Sequence, residues 1–109
     1  MPAAYKVLGQ SNPAATTNAT LYTVPSATSA VCSTLSVCNI GTSSGTFRVA
    51  VRPAGAALAN QHYVAFDAPV AAGDAVLLTL GISLAATDVV TVFASNANMA
   101  FSLFGSEIT

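Results

Sequence analysis

Any chemistry in this chain would have to come from few side chains: Cys32 and Cys38, the single His62, the acids Asp67, Asp74, Asp88 and Glu107, and the cations Lys6, Arg48 and Arg52. A structural zinc site takes four ligands, so two thiols and one imidazole would need a carboxylate to join them, and no ligand spacing supports it. A Cys–His nucleophile pair needs a thiol whose pKa is lowered by a helix N-terminus or a neighbouring cation. Both cysteines fall mid-strand with neither, so a packed thiol and an exposed strand histidine are the weightier reading. The acids are scattered, three of them beside turns or strand ends. Solvated loop residues explain them better than a carboxylate pair meeting across a cleft. No glycine-rich loop feeds a helix, which removes a phosphate cradle. The expectation is a protein with no enzymatic activity, no metal and no cofactor.

What remains is Arg48, Arg52, His62 and Tyr63. Both arginines lie in GTFRVAVRPAG, residues 45 to 55, where Phe47, Val49 and Val51 alternate with Thr46, Arg48, Ala50 and Arg52. That period of two describes a half-buried strand with its cations on the outer face, their Cα atoms about 13 Å apart. Two readings stay open for the pair: a solvated outer face, or anchors that pair with the carboxylates of a partner, since Arg and Tyr are enriched at binding hot spots. The interface candidates are therefore Arg48, Arg52, His62, Tyr63 and, in the last strand, Phe104.

The elements that must position these residues are short strands. Residues 3–10 set Tyr5, Val7 and Gly9 against Lys6 and Leu8, with the lysine turned outward. LYTV at 21–24 ends at Pro25, which has no N–H for a ladder. From Ala30 to Asn39, Val31, Leu35 and Val37 alternate with Cys32, Thr34, Ser36 and Cys38, a small, weakly polar face suited to another subunit. Residues 62–70 set Tyr63, Ala65 and Asp67 against His62, Val64 and Phe66. In 74–84, Val76, Leu78, Leu80 and Ile82 share a side and Gly81 marks a bulge or a close approach. A β-branched strand begins at Thr87 or Asp88, and 98–108 set Met99, Phe101 and Leu103 opposite Phe104. About eight strands at 8–12-residue spacing, with no amphipathic helix, predict an all-β antiparallel sandwich or barrel of jelly-roll or Greek-key type. Length sets one domain, 1–109.

Hydrophobic residues make up 53% of the chain and charged residues 6%, against roughly a quarter charged in an ordinary soluble domain. With a formal net charge of −1, little repulsion keeps copies apart. A homo-oligomer, trimer or dimer, is expected. Neither a basic run nor aromatics interleaved with cations is present, so nucleic acid and membrane surfaces are not expected partners. The N-terminus shows no basic segment followed by an apolar run, and no stretch reaches the roughly 18 apolar residues of a spanning helix. A protein made and kept in a cytoplasm, or assembled there, is the expectation. Cys32 and Cys38, six residues apart on one strand, are roughly 20 Å from each other and cannot form an internal disulfide.

Five phrases carry a resemblance: AYKVLGQ near the start, LYTVP at 21–25, FRVAVRPAGAALANQHYV at 47–64, LTLGISLAATDVVTVFAS at 78–95 and the closing FSLFGSEIT. Nearly end to end, the chain resembles a family of small virion structural proteins of tailed bacteriophages, cyanophages among them. The resemblance implies a virion protein assembled in the host bacterial cytoplasm, with the major capsid protein or other virion proteins as partners. A capsid decoration or cement protein comes first. A tail, neck, baseplate or fibre component comes second. A carbohydrate-binding module for host attachment ranks third, because Tyr and Phe fall mostly at alternating core positions and Trp is absent.

Overall fold

In the computed structural model, which describes residues 3–109, the chain forms eight strands and two short 3₁₀ turns. The strands are β1 (Ala3–Ser11), β2 (Ala19–Thr23), β3 (Ser29–Asn39), β4 (Gly45–Arg52), β5 (Tyr63–Val70), β6 (Ala75–Leu84), β7 (Val89–Ala94) and β8 (Met99–Ile108). The 3₁₀ turns, Pro53–Gly55 and Asn60–His62, lie in the link between β4 and β5. Breakers set the boundaries: Pro25 follows β2, Pro53 ends β4, and Gly73, at φ +68°, turns β5 into β6.

Two four-stranded sheets result, ordered β1-β8-β3-β6 and β2-β7-β4-β5, with every neighbour antiparallel. Successive strands mostly alternate between the sheets, which is the winding of a jelly roll. The core between them is apolar, with Leu35, Val37, Phe101 and Leu103 from the first sheet against Phe47, Val49, Val92 and Ala94 from the second. Phe47 and Phe101 meet across the sandwich edge to face, ring centroids 6.1 Å apart. Asn39, the one fully buried side-chain amide among the described residues, donates to the Ser43 and Val70 carbonyls and accepts from Gly41 N–H, which ties the β3–β4 connection, a crossing from one sheet to the other, to the end of β5.

Bulges decide which way side chains point, because one extra residue exchanges the two faces of a strand. In β3 the register slips between Cys32 and Thr34. Cys32 is thereby buried, whereas Val31 joins Thr34, Ser36 and Cys38 on the outer face, so the even positions expected to share a face are divided. The two thiols are free and on opposite sides of the sheet. Burial pushes the Cys32 pKa up to about 11. In β1, Tyr5 and Val7 face outward beside Ser106 and Phe104. Lys6, expected to point away from the protein, reaches Glu107 on the inner side at 2.6 Å. Of the two readings of Gly81, a bulge is present, the register moving from Thr34↔Thr79 to Cys32↔Ile82, and no other backbone approaches it closely. The Leu80 side chain, grouped above with Val76 and Leu78, lies outside the described residues.

Gly9 and Gly105 mark where backbones come closest. A Cβ on Gly9 would clash with the Leu21 carbonyl oxygen, and one on Gly105 with that of Val31. The first approach brings β1 onto β2 of the other sheet, and the second lies between β8 and β3 within the first sheet.

Candidate functional site

Two outward surfaces stand out, one on each sheet. On the second sheet the link between β4 and β5 folds back so that Ala50 and Thr91, which point outward from β4 and β7, are nonetheless buried. Arg52 holds this link. Its Nε donates to the Ala56 carbonyl at 2.8 Å, Nη2 to the Gly55 carbonyl at 3.2 Å and Nη1 to Thr91 Oγ1 at 3.4 Å. Asp88 secures the same turn by accepting from Ala54 N–H at 2.8 Å and from Ala85 N–H at 2.9 Å.

Arg48 lies one pleat pair away and is engaged differently. In β5 the register slips so that Phe66 and Asp67 both fall in the interval opposite Arg48, with Asp67 in the left-handed region at φ +53°. The bulge therefore turns two consecutive residues toward one guanidinium. Nε donates to Asp67 Oδ1 at 2.6 Å and Nη2 to Oδ2 at 3.3 Å. The guanidinium carbon lies 4.1 Å from the Phe66 ring centroid and 4.4 Å from that of Phe93. Such stacking suits a cation over the negative face of a ring. The Asp67 hydrogen bond raises the arginine's pKa further from an already high value.

Tyr63 packs edge to face on Phe66 at 4.9 Å, and these two rings with Asn60 line an open depression of about 320 Å³. His62 ends the second 3₁₀ turn, and its Nδ1 accepts from Ala59 N–H at 3.0 Å. Four of the five candidates, Arg48, Arg52, His62 and Tyr63, thus belong to β4, β5 or the link between them. Phe104 stands apart on the first sheet. Sequence reasoning missed Phe66, Asp67, Phe93 and Asn60. Strict alternation put Phe66 and Asp67 on opposite faces, and the signal that could have united them was an Asp, which tolerates positive φ, in mid-strand.

The first sheet's outer face is read across β1, β8, β3 and β6 in register. One row runs Tyr5, Ser106, Val31 and Ser83. The next runs Val7, Phe104, Thr34 and Thr79, and a third runs Gln10, Ser102, Ser36 and Leu77. No outward position on these strands holds a charged residue. Tyr5 is 88% exposed and Leu77 68%, and Val7 and Val31 are also exposed. Tyr5, Lys6, Val7, Val31 and Phe104 border a shallow depression of about 490 Å³.

Exposed aromatics are more numerous than the alternation implied. Of three tyrosines and five phenylalanines, Tyr22, Phe47 and Phe101 are buried, whereas Tyr5 and Phe66 are exposed and Tyr63, Phe93 and Phe104 half-buried. The acids likewise are not simply solvated: Asp67 and Glu107 are ion-paired, and Asp74 and Asp88 accept backbone N–H groups. Among the described residues no three of His, Cys, Asp and Glu gather where they could hold a metal ion.

No family model, no curated protein and no solved structure matches the chain. The likeness to phage virion proteins accordingly rests on the sequence phrases alone.

Proposed function

We propose that the protein is a structural component of a bacteriophage virion, a capsid decoration or cement protein that binds the lattice of the major capsid protein and stabilises the shell. One observation carries this reading. The thin jelly roll, 45 × 27 × 19 Å, exposes apolar or aromatic side chains on both broad sides, Tyr5, Val7 and Leu77 on the first sheet and Phe66 beside Arg48 and Tyr63 on the second, which supports contacts on both. A subunit that adheres on opposite sides joins two neighbours. Repeated by lattice symmetry, such contacts sum without any one being strong. The quoted sequence phrases point the same way. The protein would be made in the host bacterial cytoplasm and work in the virion, with no role for a cofactor, nucleic acid or a membrane.

Quantitative mass spectrometry of purified particles tests this. Several hundred copies in a fixed ratio to the major capsid protein, and particles that lose genome at lower temperature when the protein is omitted, are expected. A count of a few to a few tens would move it to the tail, neck, baseplate or fibre assembly. Absence from the particle would overturn the reading.

A second reading, a carbohydrate-binding module for host attachment, gains from the depression lined by Asn60, Tyr63 and Phe66, where an exposed ring lies beside Asp67. Glycan-array binding that is lost in Phe66→Ala would favour it; no binding to any glycan would remove it.

A further inference from the structure

We infer that the outer face of the first sheet is a two-fold interface between two copies of this chain, in which Leu77 of each copy seats beside Tyr5 of the other. The inference deepens the virion reading, which also draws on this face, but its test is the oligomeric state of the isolated chain and not the copy number in a particle, so either can fail without the other.

Charge argues for self-association first. With no charged residue at an outward position of β1, β8, β3 or β6, apposing the face with itself brings no like charges together. Lys6, half-exposed at the border of the Tyr5 depression, is paired with the Glu107 carboxylate at 2.6 Å and so brings no unpaired charge to the face.

Shape argues second. Tyr5 lies on one edge strand in the row of Ser106, and Leu77 lies on the opposite edge strand in the row of Ser102. Three inter-strand steps separate them in one direction, about 14 Å, and four residues of β8 in the other, about 13 Å. They are therefore diagonal corners of a nearly square patch. The depression bordered by Tyr5, Val7, Val31 and Phe104 occupies the Tyr5 end, and the most exposed aliphatic side chain of the face, Leu77, projects at the other. A two-fold axis along the remaining diagonal carries each Leu77 onto the depression of the second copy. The strands then cross at close to a right angle, one of the two packings that sheets adopt. A self-complementary patch of this kind is what an isologous dimer requires.

Area argues third. Crossed at a right angle, two four-stranded faces overlap over a square about 19 Å on a side, a footprint of roughly 360 Å² before side-chain relief is counted. A standard interface takes about 800 Å² of accessible surface per partner, so the face supports a dimer at the small, weak end of the range.

Sedimentation velocity on the purified chain at 5 to 100 µM, with Leu77→Arg, Tyr5→Glu and Val64→Arg variants, tests the inference. At the upper concentrations the wild type should sediment as a species of twice the 10.9 kDa chain mass. Leu77→Arg and Tyr5→Glu, both at exposed positions that the monomer fold does not need, should weaken the dimer by about 100-fold or more, as an unpaired charge buried at an interface does. Val64→Arg, on an exposed position of the second sheet, should leave it intact. In a Tyr5→Cys/Leu77→Cys double variant, oxidation should link two chains covalently. A wild type that is monomeric throughout would overturn the inference and leave the face to a different protein. A dimer that survives Leu77→Arg and Tyr5→Glu, or that is lost in Val64→Arg, would place self-association elsewhere. A dimer without the cross-link would overturn the Leu77–Tyr5 pairing.

Discussion

Arg48 and Arg52 leave β4 on the same side four residues apart, yet the structure gives them different tasks. Arg52 closes a turn of its own chain, while Arg48 displays a half-exposed ion pair stacked between two rings. Their shared outward face was legible from the period of two. Their partners were not: Gly55 and Ala56 depend on how a loop folds back, and Asp67 depends on a bulge that alternation cannot announce. Arg52→Ala should leave both sheets formed and cost about 1 kcal/mol, the worth of hydrogen bonds that water can partly replace. Amide exchange in 53–59 should quicken while β4 and β7 stay protected. Unchanged exchange there would show that the guanidinium does not hold the link.

At the scale of elements, all eight strands were legible, because β-branched residues alternate between clear breakers. Facing was less so. β1 and β3 carry bulges that no residue type required, and a one-residue slip reverses every side chain beyond it. That slip turns Lys6 inward to Glu107, whose carboxylate also accepts from Tyr22 Oη at 2.5 Å. This clasp joins β1 and β8 of the first sheet to β2 of the second. The Lys6 and Tyr22 hydrogen bonds hold the Glu107 pKa below its ordinary value, with burial opposing them. For Tyr22, burial first and then the carboxylate raise the phenol's pKa. A carboxylate whose pKa is lower in the folded than in the unfolded state adds stability above its unfolded value, and that stability is lost as pH falls through the folded one. Glu107→Gln should therefore melt below the wild type at neutral pH, and the difference should shrink as pH falls below the ordinary glutamate value of about 4.3 and vanish once the folded carboxylate, which holds its charge to lower pH, is protonated. A difference constant from pH 7 to pH 2 would count against the clasp.

For the molecule as a whole, the class of fold could be read from strand count and spacing, but the order 1-8-3-6 and 2-7-4-5 could not. It depends on pairings between residues as far apart as Ala3 and Ile108, which local pattern does not encode. The sandwich is held by the apolar layer in which Phe47 meets Phe101. Phe101→Ala should cost about 3–5 kcal/mol, a large share of the roughly 5–15 kcal/mol that domains possess, and urea denaturation should show the midpoint falling accordingly. A loss under 1 kcal/mol would mean the layer closes over the gap. The charge-free face has one more consequence, in ionic strength. Salt screens interactions between exposed charges beyond about 10 Å at 0.1 M and beyond about 3 Å at 1 M, but a contact made by Tyr5, Val7, Phe104 and Leu77 offers nothing to screen. Assemblies built through that face would hold from dilute buffer to molar chloride and tighten in sulfate, whereas those built through Arg48 and Asp67 would loosen along the same series.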